Sequence, residues 1–274
     1  MVVLHGCMTF RASHREMHEF FQREKINGSI HHYKAGKYRM EYVQAGDSTR
    51  PLVLFIHGSP GSLSAFLMYL GDSTLMEHAF LITADRPGFG HSNFGIAEPS
   101  IARQGEILKT ILEKHHKSRP IILVGHSLGG PLIAKMAIDY PGLVDGLVII
   151  AGSMDADLEP NETWFRAPLA TPFLSWILPR SFRASNDELY QLKPQLKDLT
   201  PEYSRITCPV AVVHGKKDRF VTFDNVSAIE RKMTNARLRY FILEDAGHFI
   251  PWQNEKLVVE SILHVLGEAQ APQP

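Results

Sequence analysis

PIILVGHSLGGP, residues 120–131, is the stretch whose reading decides the fold. Ile121, Ile122, Leu123 and Val124 form a short apolar run bounded by proline and glycine, the pattern of a strand buried on both faces. Ser127 sits two residues after Gly125 and two before Gly129, a GxSxG spacing that puts a serine on a sharp strand-to-helix turn with its hydroxyl above the sheet. The flanking glycines remove the Cβ atoms that would collide where strand and helix pack closely. Leu128 follows, and its N–H points at the same space as the hydroxyl. A helix is expected over Leu128–Tyr140, with Pro131 in its first turn, where a missing N–H costs little. Such a site suits covalent acyl chemistry.

Outward from this turn, strands and helices alternate. PLVLFIH at Pro51–His57 reads as a strand, and further strands are expected at Phe80–Asp85, Leu147–Ala151, Val210–His214 and Leu238–Leu243. Helical stretches fall between them near Leu63–Leu70, Ile101–His116, Asp224–Lys232 and Glu255–Leu266. Alternation of this kind means crossover units and a largely parallel sheet, an α/β fold. Tyr38, Met40 and Tyr42 alternate in an early strand, expected to be antiparallel. Ahead of it, residues 1–34 read as a packed helical extension: Ser13 and Glu16 make a capping box, and Met17, Phe20 and Phe21 form an apolar stripe. No internal repeat is evident.

The alternation breaks over residues 153–205, where no strand is evident and proline is dense. This stretch reads as a small helical cap inserted into a core made of residues 35–152 and 206–274. It holds two of the three tryptophans, and Trp164, Phe165, Phe173 and Trp176 are expected either to pack the cap down or to form an apolar ceiling over the substrate. Asn186–Lys197 reads as a second cap helix.

The 274 residues and 44% hydrophobic content suit one sizeable domain with an insertion. Lys+Arg 29 balances Asp+Glu 29, so nothing electrostatic favours nucleic acid or an anionic membrane, and the expected partner is a small, weakly charged molecule. Oligomeric state is not legible. No run approaches the ~20 apolar residues of a spanning helix, and MVVLHGC lacks the features of a signal peptide, so a soluble, cytoplasmic chain is expected. The alternative is a lipid anchor on Cys7, should the natural start lie upstream, because Leu4-His5-Gly6-Cys7 approximates the end of a lipoprotein signal. Cys208, the other cysteine, reads as an inert buried thiol.

A serine hydroxyl is a weak nucleophile near neutral pH and needs a base, with a third group to orient that base. His248 in EDAGHF and Asp218 in VVHGKKD follow the last two predicted strands, at the carboxyl ends where open α/β sheets place their sites. Asp155, Asp224 and Asp245 are competing carboxylates, with Asp224 also readable as a helix N-cap. The pairs His31, His32 and His115, His116 show no ligand spacing with other donors, so no metal and no cofactor are expected.

The chain resembles the α/β-hydrolase superfamily from about Gly36 onward. HGSPGS at His57–Ser62 resembles the family's oxyanion loop, DRPGFGHS at Asp85–Ser92 its next turn, and GHSLGG, HGKKD and AGHF complete the set in the family's order. The resemblance implies a mostly parallel sheet with helices on both faces, Ser127 as nucleophile, His248 as general base and then acid, and Asp218 as the orienting carboxylate. It also implies an oxyanion hole. Leu128 supplies one N–H, and because Pro60 has none, Ser59 is the expected second donor. The expected activity is hydrolysis of a partly apolar carboxylic ester or related acyl compound through an acyl-enzyme. A serine in the turn argues against epoxide hydrolase or dehalogenase chemistry, which uses aspartate there. Carbon–carbon bond hydrolases, perhydrolases, acyltransferases, aminopeptidases and a slow-turnover binding protein remain as alternatives.

Overall fold

The computed structural model describes residues 8–115 and 119–271. The strands are β1 (Ser29–Ala35), β2 (Tyr38–Ala45), β3 (Leu52–Ile56), β4 (Phe80–Ala84), β5 (Ile121–His126), β6 (Gly146–Ile150), β7 (Pro209–Gly215) and β8 (Arg237–Leu243). Among the described residues they form one sheet in the order β1-β2-β4-β3-β5-β6-β7-β8. β1 runs antiparallel to β2 and β2 antiparallel to β4, while every pairing from β4 across to β8 is parallel.

The helices are α1 (His14–Glu24), α2 (Ser73–His78), α3 (Ile101–His115), α4 (Gly129–Asp139), α5 (Thr163–Leu169), α6 (Arg180–Leu199), α7 (Asp224–Lys232), α8 (Ile250–Gln253) and α9 (Glu255–Gln270). The stretch Leu63–Gly71 is a 3-10 helix. They cover both faces because the central strands are apolar on both. Leu54, Ile56, Leu123 and Ile149 pack with α3 and α4, and the alternate residues Val53, Phe55, Val124 and Ile150 pack with α1, the 3-10 helix and α9. Each such side chain taken fully from water contributes roughly 1.5–3 kcal/mol.

The N-terminal segment departs from the sequence expectation. α1 begins with the Ser13–Glu16 capping box and buries Met17, Phe20 and Phe21, as its stripe requires. Residues 29–35, however, are not helical packing but an edge strand, joined to β2 through a turn at Gly36, whose φ is 58°. SIHHYKA lacks an apolar alternation because the strand lies half-buried at the sheet's margin, where hydrogen bonds to β2 rather than side-chain burial hold it. α6 starts six residues earlier than the expected Asn186, with Pro179 at its N-cap, and Pro194 does not end it. Cys7 and His116 lie outside the described residues. No helix among the described residues is long and apolar enough to cross a membrane.

Candidate active site

Parallel strands deliver their carboxyl ends to one edge, and the loops after β5, β7 and β8 carry Ser127, Asp218 and His248 there. Ser127 has φ 55°, a left-handed conformation that costs of order 1–3 kcal/mol for a residue with a side chain. The turn is held by bonds from the Ser127 N–H to the Ile150 carbonyl (2.9 Å) and from the Gly130 N–H to the Ser127 carbonyl (2.9 Å). Space decides the neighbours. A Cβ on Gly129 would come within 2.6 Å of the Ile56 carbonyl oxygen, and one on Gly125 would fall on the Gly129 carbonyl. A Cβ on Gly58 would sit 2.9 Å from the Ser127 Cβ, so the loop after β3 presses directly on the serine.

His248 Nδ1 donates to Asp218 Oδ2 at 2.7 Å, leaving Nε2 as the ring atom free to serve the hydroxyl. Asp218 Oδ1 accepts from the N–H groups of Phe220 (2.8 Å) and Val221 (2.9 Å). Burial alone would raise the Asp218 carboxyl, but the bonds from His248 and from the Val221 and Phe220 amides outweigh it, and it lies below the ordinary aspartate value. His126 Nε2–H donates to the His248 carbonyl at 2.9 Å, tying the loop after β8 to the end of β5. Burial, helped by the neighbouring His248, pushes the His126 imidazole down to about 3 and keeps it neutral. Ser127 and His248 line one cavity without a hydrogen bond between them, a bond that in such sites often tightens only on a substrate.

The amides of Ser59 and Leu128 have no acceptor among the described residues. The Ser59 loop is fixed from beneath by Arg86, which is fully buried. Its guanidinium donates to the carbonyls of His57 (Nε, 2.9 Å) and Gly58 (2.9 Å), to Gln104 Oε1 (2.9 Å) and to both carboxylate oxygens of Glu188 on α6 (2.6 and 3.1 Å). Ser59 Oγ donates to Glu188 Oε2 at 2.9 Å. One buried ion pair therefore joins α6, the DRPG turn and the loop that carries Ser59. This network is absent from the sequence reading. The motif DRPG pointed to the turn, but nothing near Glu188 marks it as the partner.

The cavity beside Ser127 has a volume of about 870 Å³. Its apolar lining includes Phe10, Phe182, Leu189, Val221, Phe249 and Trp252, and Arg166, Lys193 and Lys197 reach it from α5 and α6 alongside Glu159 and Glu162. The expected ceiling of Trp164, Phe165, Phe173 and Trp176 is not there. Trp164 is 79%, Phe173 86% and Trp176 53% exposed, and none of the four lines the cavity. The reason is helical phase: α5 turns Thr163 and Arg166 inward, which sends Trp164 outward, while Phe165 lies under the Arg166 guanidinium (5.0 Å) and edge-on to Trp164. The aromatic walls come instead from Phe10, from Phe182 and Tyr190 on α6, and from Phe220, Phe249 and Trp252 after β7 and β8, whose approach is a tertiary property.

The competing carboxylates are occupied elsewhere. Asp155 accepts from the Asp157 amide at 3.0 Å, and Asp245 pairs with Lys217 at 2.6 Å on the surface. Asp224 is the first residue of α7 rather than its cap, which is Phe223. Burial pushes the Cys208 thiol up to about 12.

Comparison with known proteins bears on the fold. The sequence family described as alpha/beta hydrolase fold matches residues 51–184. Protein ABHD8 of Mus musculus is 25% identical over 248 residues, covering 78% of this chain and 54% of that protein, so the chain spans about half the length of this relative. The 2-hydroxy-6-oxononadienedioate/2-hydroxy-6-oxononatrienedioate hydrolase of Paraburkholderia phymatum is 26% identical over 267 residues, covering 84% and 91%. A solved membrane phospholipase A superposes with a TM-score of 0.70 at 19% identity, covering 94% of this chain and 92% of that one. The matched segment is the one that builds the centre of the sheet and the serine turn, and the chain has the α/β-hydrolase fold.

Proposed function

We propose that the protein is a serine hydrolase acting on a partly apolar carboxylic ester or related acyl compound. The observation that supports this most is the 2.7 Å bond from His248 Nδ1 to a buried Asp218, with the imidazole sharing a cavity with the strained Ser127. His248 Nε2 takes the Ser127 proton as Oγ attacks the substrate carbonyl carbon. The oxyanion accepts the N–H groups of Ser59 and Leu128, each worth on the order of a hundredfold in turnover. His248 then protonates the leaving alcohol, and the same residue deprotonates the water that releases the acid. The helices between β6 and β7 act as a cap, and Phe10, Phe182 and Leu189 receive the apolar part of the acyl chain.

A second reading is hydrolysis of a carbon–carbon bond in an oxo-dienoate. It draws on the Paraburkholderia relative and on Lys193 and Lys197 in the cavity lining, which suit a substrate carboxylate, Arg166 being already paired with Glu162. A panel of p-nitrophenyl esters from acetate to decanoate, run beside a 2-hydroxy-6-oxo-dienoate, tests both. The ester reading expects turnover that varies with acyl length and is lost in Ser127→Ala. Turnover of the dienoate alone would replace it with the second reading, and no turnover of either would refute both.

A further inference from the structure

On the antiparallel margin of the sheet, away from the residues that line the cavity, three ligand-type side chains converge. His32 on β1 and Glu41 on β2 are cross-strand partners, and His14 opens α1 above them. His32 Nε2 lies 2.7 Å and His14 Nε2 2.9 Å from the same atom, Glu41 Oε2. The three ligand atoms are all within 4.8 Å of one another. Hydrogen bonds from the two imidazoles account for Oε2 only. Glu41 is 1% exposed, and its second oxygen, Oε1, is buried with no hydrogen-bond partner among the described residues. Such an orphaned carboxylate oxygen is costly and uncommon in a folded interior.

We propose that His14, His32 and Glu41 bind a zinc-class divalent transition-metal ion that clasps α1 to the edge of the sheet. Two imidazole nitrogens and a carboxylate are a donor set for Zn²⁺, and a second contact from Oε1 or a water completes four-coordination. Ligand bonds of about 2.0–2.1 Å require donor separations of roughly 3.3 Å in a tetrahedron, a few tenths of an ångström wider than the bonds now in place. The imidazoles have that freedom, since the His14 and His32 side chains are 47% and 66% exposed, which also opens the site to an ion from solvent. The His91 ring packs at a tilt 4.5 Å from the His14 ring, and His91 bonds the Ala12 carbonyl at 3.0 Å. The residue preceding Arg11 and Ala12 is Phe10 of the cavity lining, so the clasp fixes the segment that carries it. Spacing along the chain conceals this set, because positions 14, 32 and 41 meet only through strand pairing and helix docking.

The test uses the full chain stripped with EDTA and titrated with ZnCl₂ by calorimetry and with CoCl₂ by visible absorption. The expected result is one saturable equivalent, a melting midpoint that rises with zinc concentration, and affinity lowered more than about tenfold in both His14→Gln and His32→Gln. Both substitutions fall at exposed positions, so a folded variant is available for each. Absence of saturable binding, or one equivalent bound equally well by both variants, would overturn the proposal.

Discussion

Replacing Glu188 by glutamine isolates the ion pair beneath the loop that carries Ser59. The substitution keeps side-chain volume and removes one charge, leaving the Arg86 guanidinium in the interior, where both partners are at most 1% exposed. Removing one member of a buried pair costs about 3–5 kcal/mol, because the survivor's charge stays desolvated without its counterpart. For a chain of this size each kcal/mol moves the melting midpoint by roughly 2–4 °C, so Glu188→Gln is expected to melt roughly 6–20 °C lower. A second effect is separable. The two oxygens of Glu188 now accept from Ser59, Gln104 and Arg86, and the amide that replaces them has a single acceptor oxygen. The Ser59 backbone then loses one of its anchors, and kcat falls more than KM rises. Glu188→Asp, which keeps the charge on a shorter arm, recovers part of both. Calorimetry and steady-state kinetics read the two effects on the same preparations. An unchanged melting midpoint in Glu188→Gln would refute the claim that this pair holds α6 to the loop.

Three further outcomes follow from the geometry. Asp218→Asn removes the charge that orients His248 and is expected to lower kcat by about 10³–10⁴ with little change in KM, and a loss under tenfold would contradict the assigned role. His126 has its folded-state value depressed to about 3 by burial, so between there and the unfolded value near 6.5 the unfolded chain binds the extra proton and stability falls as pH falls. Urea titrations of wild type and His126→Gln at pH 7 and pH 5 should show the wild type losing about 2 kcal/mol more on acidification, whereas an equal loss would mean His126 is not the group responsible. Gly125→Ala is expected to fold poorly, since its Cβ falls on the Gly129 carbonyl, while Gly267→Ala, which meets nothing within 4 Å near the C-terminal end of α9, should be stabilised by about 0.5–1 kcal/mol. Equal melting of the two variants would contradict the packing argument.

The central architecture was legible because parallel strands are buried on both faces and announce themselves as unbroken apolar runs. VLF at 53–55 and IILV at 121–124 leave little choice. β1 was not legible, because an edge strand needs only backbone partners and SIHHYKA carries no apolar alternation. The residues of the expected triad follow directly after strand ends, so their convergence could be argued from order along the chain. The cavity wall could not. Trp164 carries apolar surface, but whether α5 turns that surface inward depends on a helix phase fixed by contacts with α6. Glu188 and Glu41 were invisible for a related reason: a buried carboxylate is recognised by its partner, and Arg86 and His32 are supplied by other elements.

The central claim concerns the nucleophile, and covalent labelling tests it most directly. A fluorophosphonate should modify the protein to one equivalent, with the adduct located on Ser127 by peptide mass spectrometry, and reaction should cease in Ser127→Ala and slow sharply in His248→Asn. Labelling that persists in Ser127→Ala, or that proceeds at the wild-type rate without the imidazole, would contradict the account.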